Sequence, residues 1–189
     1  TSRLLTGFFL AGIYPVGMKI AADYYQKGLG KSLGFLVGAL VLGTAFPHLL
    51  KSTPDLLDWK SVMVTTSTLS ASGGLLLLLF VPKGPYHVTG AKANLSAFIQ
   101  VFSNKNYRTA AFGYFGHMWE LYAFWAFVPY VLKVYNEVEP AANLNVSLSS
   151  FAIIGVGSLG CVFGGLLSLK YGAKRVAFIA LLTSGICCL

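Results

Sequence analysis

The sequence predicts an all-α membrane protein, a polytopic bundle of about six transmembrane helices. Three observations carry that expectation. Apolar residues make up 56% of the 189 residues and charged residues only 11%, where a soluble domain carries about 25% charge. The apolar residues gather into six runs, most of them near the roughly 20 residues that a helix needs to cross a bilayer core at about 1.5 Å of rise per residue. The cations sit in the short gaps between these runs instead of forming one basic face. The net charge of +8 therefore reads as topology-setting charge and argues against a nucleic-acid partner, which calls for a continuous basic patch.

The runs cover residues 4–21, 32–50, 61–82, 107–132, 148–169 and 176–189. Pro15 in the first removes a backbone donor and predicts a kink. The second carries Gly30, Gly34 and Gly38 at four-residue spacing, with Gly43 beyond, and Pro47 near its end. The third stops at Pro82-Lys83-Gly84-Pro85. In the stretch that follows, Leu95, Phe98, Ile99 and Phe102 keep helical spacing. Two readings stand for it, an interfacial amphipathic helix and a packed connector. The fifth run is studded with Gly155, Gly157, Gly160, Gly164 and Gly165, which let helix backbones approach in lipid. Such glycines serve either static packing or a surface that slides. The first run begins beside Arg3 and the last stops at Leu189 in mid-run, with no cleavable leader at Thr1. The chain is thus expected to be a fragment of a longer protein.

Charge orients the spans. Lys19, Lys27, Lys31, Lys83, Lys92, Lys105, Arg108, Lys170, Lys174 and Arg175 fall on one side, ten cations in all. Arg3, Lys51, Lys60 and Lys133 fall on the other, with the acids Asp55, Asp58, Glu137 and Glu139. The cation-rich side, with loops 22–31, 84–106 and 170–175, is expected to be cytoplasmic, and loops 51–60 and 134–147 external.

The turn between the last two runs reads GLLSLKYGAKR over 165–175. Gly165, Leu167, Ser168, Lys170, Gly172 and Lys174, with Arg175 after them, fit a pattern of roughly G-x-L-(A/S)-D-R-x-G-(R/K)-(R/K). It resembles the loop motif of the major facilitator superfamily, with Leu169 standing where that family usually has Asp. Arg3-x-x-x-Gly7 followed by Ala11-Gly12 resembles the family's fourth span, and Phe102–Arg108 resembles the run into its second half. The resemblance covers the whole chain. It implies spans four to nine of twelve: 1–82 closing an amino-terminal bundle, 83–106 a central cytoplasmic loop, and 107–189 opening a carboxy-terminal bundle. It further implies that the 165–175 loop latches the bundles in an outward-open state and that Arg3 contributes to substrate binding or coupling, against the alternative that Arg3 snorkels to water. The family's antiport pattern G-P-x-x-G-G is incomplete at Gly38–Gly43, which lacks the Pro and one Gly, and this departure points away from drug-efflux antiport.

The chemistry concentrates in Gly113–Trp125. Glu120 is the one acid deep in any run, and a charge at the bilayer centre costs about 2.5–3.5 kcal/mol on insertion scales. It should therefore face protein or water. His117 lies three residues before it, on the same helical face as Gly113, Gly116 and Phe124. The pair suits a substrate or proton site, or else a structural hydrogen bond between helices. Trp119, Tyr122 and Trp125 are candidates to line a cavity, against the alternative that aromatic residues in a span simply pack. Lys19 and Asp23, four apart, can pair. Cys161, Cys187 and Cys188 show no metal-ligand spacing, His48, His87 and His117 lie on different levels, and no phosphate-binding loop occurs. No metal and no cofactor is expected.

The expectation is an integral protein of the cell membrane and not an enzyme. It is a secondary transporter moving a small solute by alternating access, with protons as coupling ion and the lipid bilayer as partner. The His117–Glu120 segment is similar to cyanate/nitrate-type and related small-anion or organic-acid permeases, and proton symport is the version in which Glu120 does not repel an anion. Two alternatives are an intramembrane enzyme using His117 and Glu120 as acid and base, and a structural membrane protein in which the pair is a strut.

Overall fold

A computed structural model describes residues 2–52, 58–88 and 100–187, apart from the side chains of Ser2 and Arg3. Among the described residues every regular element is a helix: α1 (Ser2–Asp23), α2 (Leu29–Lys51), α3 (Trp59–Phe80), α4 (Lys105–Val138), a 3-10 turn (Pro140–Ala142), α5 (Val146–Tyr171) and α6 (Ala173–Cys187). Each of the six expected runs is thus helical over its described residues, apart from 81–82 at the end of the third. The proposed interfacial helix at Leu95–Phe102 lies largely outside the described residues. Of its residues only 100–102 fall inside, and they are helical.

Local chemistry sets the helix ends. Asp58 caps α3 by accepting the Ser61 N–H at 2.8 Å, and Asn104 caps α4 by accepting the N–H groups of Asn106 and Tyr107. Gly28 enters α2 in the left-handed conformation, φ 79°, which costs a glycine little. Pro15 and Pro47 lie inside α1 and α2.

Among the described residues four helices are long and apolar enough to cross a membrane: α1 from Leu4, α2, α3 and α5. α6 has 15 described residues. α4 has length to spare: its 34 residues span about 51 Å at 1.5 Å each, against a hydrocarbon core of about 30 Å. It runs six residues past the expected end at 132. The Lys133–Glu137 pair, one turn apart at 4.0 Å, supports that extra turn. Pro140 then disfavours helical geometry at Glu139, which takes φ −124° and ψ 78°. Asn136 clamps the chain beyond the turn, its amide donating to the Leu144 carbonyl at 2.8 Å and accepting the Leu144 N–H at 3.1 Å.

The helices divide into two compact units, residues 1–88 with 147–189, and residues 89–146. In the first, α2 buries Gly34, Gly38, Val41 and Ala45, a stripe at i, i+4, i+7 and i+11. α5 meets it antiparallel: Gly30 stands by Ser168, Gly34 by Gly165, Gly38 by Ser158 and Val162, Val41 by Gly157, and Ala45 by Gly155. Ser150 and Ile154 of α5 are also buried. α5 and α6 thus share a compact unit with α1–α3. Outward faces are apolar; Leu75–Phe80 of α3 are all exposed. A surface of this kind is stable against lipid tails or further protein, not against water.

Candidate functional site

α4 carries His117 and Glu120 near its middle, one turn apart. His117 Nδ1 lies 3.7 Å from Glu120 Oε2, an ion-pair distance but too long for a direct hydrogen bond. His117 Nδ1 is shut off from solvent and meets no hydrogen-bond partner among the described residues. The two side chains as a whole are less enclosed than the sequence suggested, 44% and 32% exposed.

Trp119 and Tyr122 do not share that face. At about 100° of rotation per residue, Tyr122 points some 200° away from Glu120, and Trp119 the same angle away from His117. They line instead a shallow apolar concavity with Phe115, Met118, Ala123 and Phe127, and Tyr122 packs edge-on to Trp125 at 5.4 Å. Of the five candidate residues, His117 and Glu120 thus form a polar pair on one side of α4, and Trp119 and Tyr122 belong to an aromatic face on the other. The backbone of Arg3 is in the first turn of α1, and its side chain lies outside the described residues.

The second locus is the crossing of α2 and α5. A side-chain carbon on Gly34 would stand 2.9 Å from the Cys161 carbonyl oxygen, and one on Gly165 would stand 2.6 Å from the Gly30 carbonyl oxygen. Gly160 and Gly164, by contrast, face open space. Only one face of the glycine-rich fifth run therefore makes the contact. Leading out of it, the loop motif adopts the geometry its glycine requires. Gly172 takes φ +85° and its N–H donates to the Ser168 carbonyl at 3.0 Å, a left-handed cap that ends α5 and lets α6 start at Ala173. Ser168 Oγ donates to the Gly165 carbonyl at 2.7 Å. Lys170 lies over the Tyr171 ring at 5.2 Å. Lys174 and Arg175 fall in the first turn of α6, where cations oppose the helix dipole; another structure or a lipid surface must offset that. Because Gly30 and Ser168 touch, the 24–28 connection and the 165–175 loop share one end of this unit.

A third cluster was missed. Lys19 and Asp23 pair as expected, Nζ to Oδ2 at 3.1 Å, but the same carboxylate oxygen also meets His87 Nδ1 at 2.8 Å. His87 follows α3 and is 64 residues from Asp23 in sequence. The signal available was its position beside Pro82–Pro85, a rigid turn that directs the chain back onto a helix end. Among the described residues no group of three or more His, Cys, Asp or Glu side chains is placed to hold a metal ion. Cys161 sits in the α2–α5 crossing as a small packing residue.

The whole chain, residues 1–189, matches the sequence model described as Major Facilitator Superfamily. No curated protein and no solved structure matches it. The likeness is therefore at the level of the superfamily, and the narrower resemblance to cyanate/nitrate-type permeases gains no support.

Proposed function

This chain belongs to the Major Facilitator Superfamily, a family of secondary transporters, and from that premise we propose that it forms part of a proton-coupled symporter for a small anion or metabolite, with Glu120 as the coupling carboxyl and His117 as its partner. One observation carries the reading: His117 Nδ1 and Glu120 Oε2 stand 3.7 Å apart in the middle of α4, flanked by Gly113 and Gly116. An acid at that depth is costly in lipid, and two titratable groups one turn apart can share and pass a proton. The protonated carboxyl would admit an anion that the carboxylate repels.

In this proposal the solute binds between two bundles near the bilayer midplane and is exposed alternately to each side. The bundles are the amino-terminal one ending with α3 and the carboxy-terminal one beginning with α4. Arg3 is a further candidate to meet the solute. The glycine contact between α2 and α5 and the cap at Gly172 would set the range over which the helices shift. The protein would work in the cell membrane.

Glu120→Gln in the full-length protein, reconstituted in vesicles, tests the reading. It should abolish accumulation driven by a pH gradient and spare solute exchange without one. Accumulation at the wild-type level would reduce Glu120 to a structural contact.

A further inference from the structure

The end of α1 and the segment 81–88 that leaves α3 are joined by four contacts of different kinds. The Tyr86 N–H donates to the Asp23 carbonyl at 3.0 Å. The Tyr24 hydroxyl donates to the Pro82 carbonyl. Gly84 is buried against the Asp23 carbonyl so closely that no side chain fits there. His87 Nδ1 meets Asp23 Oδ2 at 2.8 Å. A further bond, from the His87 N–H to the Gly84 carbonyl at 3.1 Å, folds the segment into a turn.

The first three contacts are made by backbone and neutral groups, which do not change between about pH 5 and 8. The fourth is made by the residue type that does. Among the described residues, the charged and titratable groups at this junction are Asp23 and Lys19 from α1, Tyr24 just after it, and Lys83 and Tyr86 from the segment itself. As residue types, lysine and tyrosine titrate well above that window and carboxylates below it. Asp23 is 15% and His87 32% exposed, so water screens their attraction only in part.

We infer that residues 81–88 form a proton-responsive clasp: protonated His87 tightens the segment leaving α3 onto Asp23, and deprotonation of His87 loosens that hold while the three other contacts keep the ends of α1 and α3 together. The direction follows from charge. Imidazolium and carboxylate attract; once the imidazole is neutral the attraction between opposite charges is gone and only a hydrogen bond to the carboxylate is left, and Lys19 still pairs with that carboxylate. The clasp is tighter on the acid side and loosens as pH rises. It lies on the side that the cation bias assigns to the cytoplasm and uses neither Glu120 nor the solute.

Hydrogen–deuterium exchange of the full-length protein in lipid nanodiscs, followed at the Tyr86 amide at about pH 5.5 and about pH 8, tests this. After correction for the intrinsic exchange rate, protection should fall about fivefold between the two, the effect of a partly exposed ion pair of the upper ordinary strength. His87→Gln keeps a hydrogen-bonding group that does not titrate, and should make protection the same at both. Asp23→Asn keeps the acceptor without its charge, and should also flatten the response. Glu120→Gln should leave the response as in the wild type, so the clasp and the transport reading stand or fall separately. Equal wild-type protection at both pH values, or a response that survives in His87→Gln, would overturn the clasp.

Discussion

Gly34 and Gly165 meet backbone to backbone. A side-chain carbon on Gly34 would lie 3.0 Å from the Cα of Gly165, and one on Gly165 would lie 2.9 Å from the Cα of Gly34. Neither neighbour can turn aside, because both are main chain. Gly34→Ala should therefore push α2 from α5 and destabilise the protein by about 1–3 kcal/mol, the range for overpacking a close contact. Gly155→Ala is the control: its added carbon would find Ala45 Cβ at an ordinary 3.9 Å, and it should be neutral. Thermal unfolding in detergent separates the two. Equal melting temperatures would mean that the crossing yields more readily than its geometry indicates.

Gly172 should resist substitution for a different reason. Nothing lies within 4 Å of where its side chain would be, so the cost is conformational alone. At φ +85° an L-residue pays about 1–2 kcal/mol. Gly172→Ala should lower stability by that amount and Gly172→Asn by less, since Asn tolerates the left-handed region. Unfolding midpoints in one detergent give the order, and an Ala variant as stable as Asn would contradict the cap.

Asp58 makes the start of α3 sensitive to acid. Its carboxylate accepts the Ser61 N–H at 2.8 Å. The bonds it accepts from the Ser61 side chain and backbone hold its carboxyl below the usual carboxylate value. The group is more acidic folded than unfolded, so it stabilises α3 fully above the unfolded carboxylate pKa. That contribution is lost as pH falls through the lower folded value. Protection of the Ser61 amide should follow this course in the wild type. In Asp58→Asn, which caps without titrating, it should not change over the same acid range.

Side-specific labelling tests the orientation. Lys83 and Asn143 are both exposed and lie in gaps that the cation count assigns to opposite sides. With native cysteines replaced, Asn143→Cys should react with an impermeant maleimide added outside intact cells, and Lys83→Cys only after permeabilisation. The reverse pattern would invert every span.

His117 should tune transport without being essential to it. With Nδ1 at 3.7 Å from the Glu120 carboxyl, His117→Asn should move the pH profile of uptake while leaving exchange of solute within about twofold, a change of under 0.5 kcal/mol at about 1.4 kcal/mol per tenfold. An unmoved profile would leave Glu120 to act alone.

The sequence by itself determined the membrane class, the six helices and most of their ends, because these depend on neighbours. Apolar run length and the Lys19–Asp23 pair are settled within about one helical turn or one run, and the Asp58 and Asn104 caps, which the structure supplied, are equally local, as is the stop at Gly172. So was the candidacy of Glu120, since one acid in a long apolar run is conspicuous by composition alone. The end of α4 was misjudged for a reason still local: apolar content fades after 132, while the helix continues on an ion pair until Pro140.

Only the tertiary structure decided which faces meet. Periodic glycines announce a close contact without naming its partner, and it took the register of α2 on α5 to set Gly34 on Gly165 and leave Gly160 and Gly164 open. His87 was one histidine among three until the turn after α3 laid it on Asp23, 64 residues away in sequence. On α4 the side chains were legible but their grouping was not, and helical rotation sends Trp119 and Tyr122 away from the pair they were expected to join. In each case the deciding quantity is a distance between residues that the chain's order leaves free, and packing alone determines it.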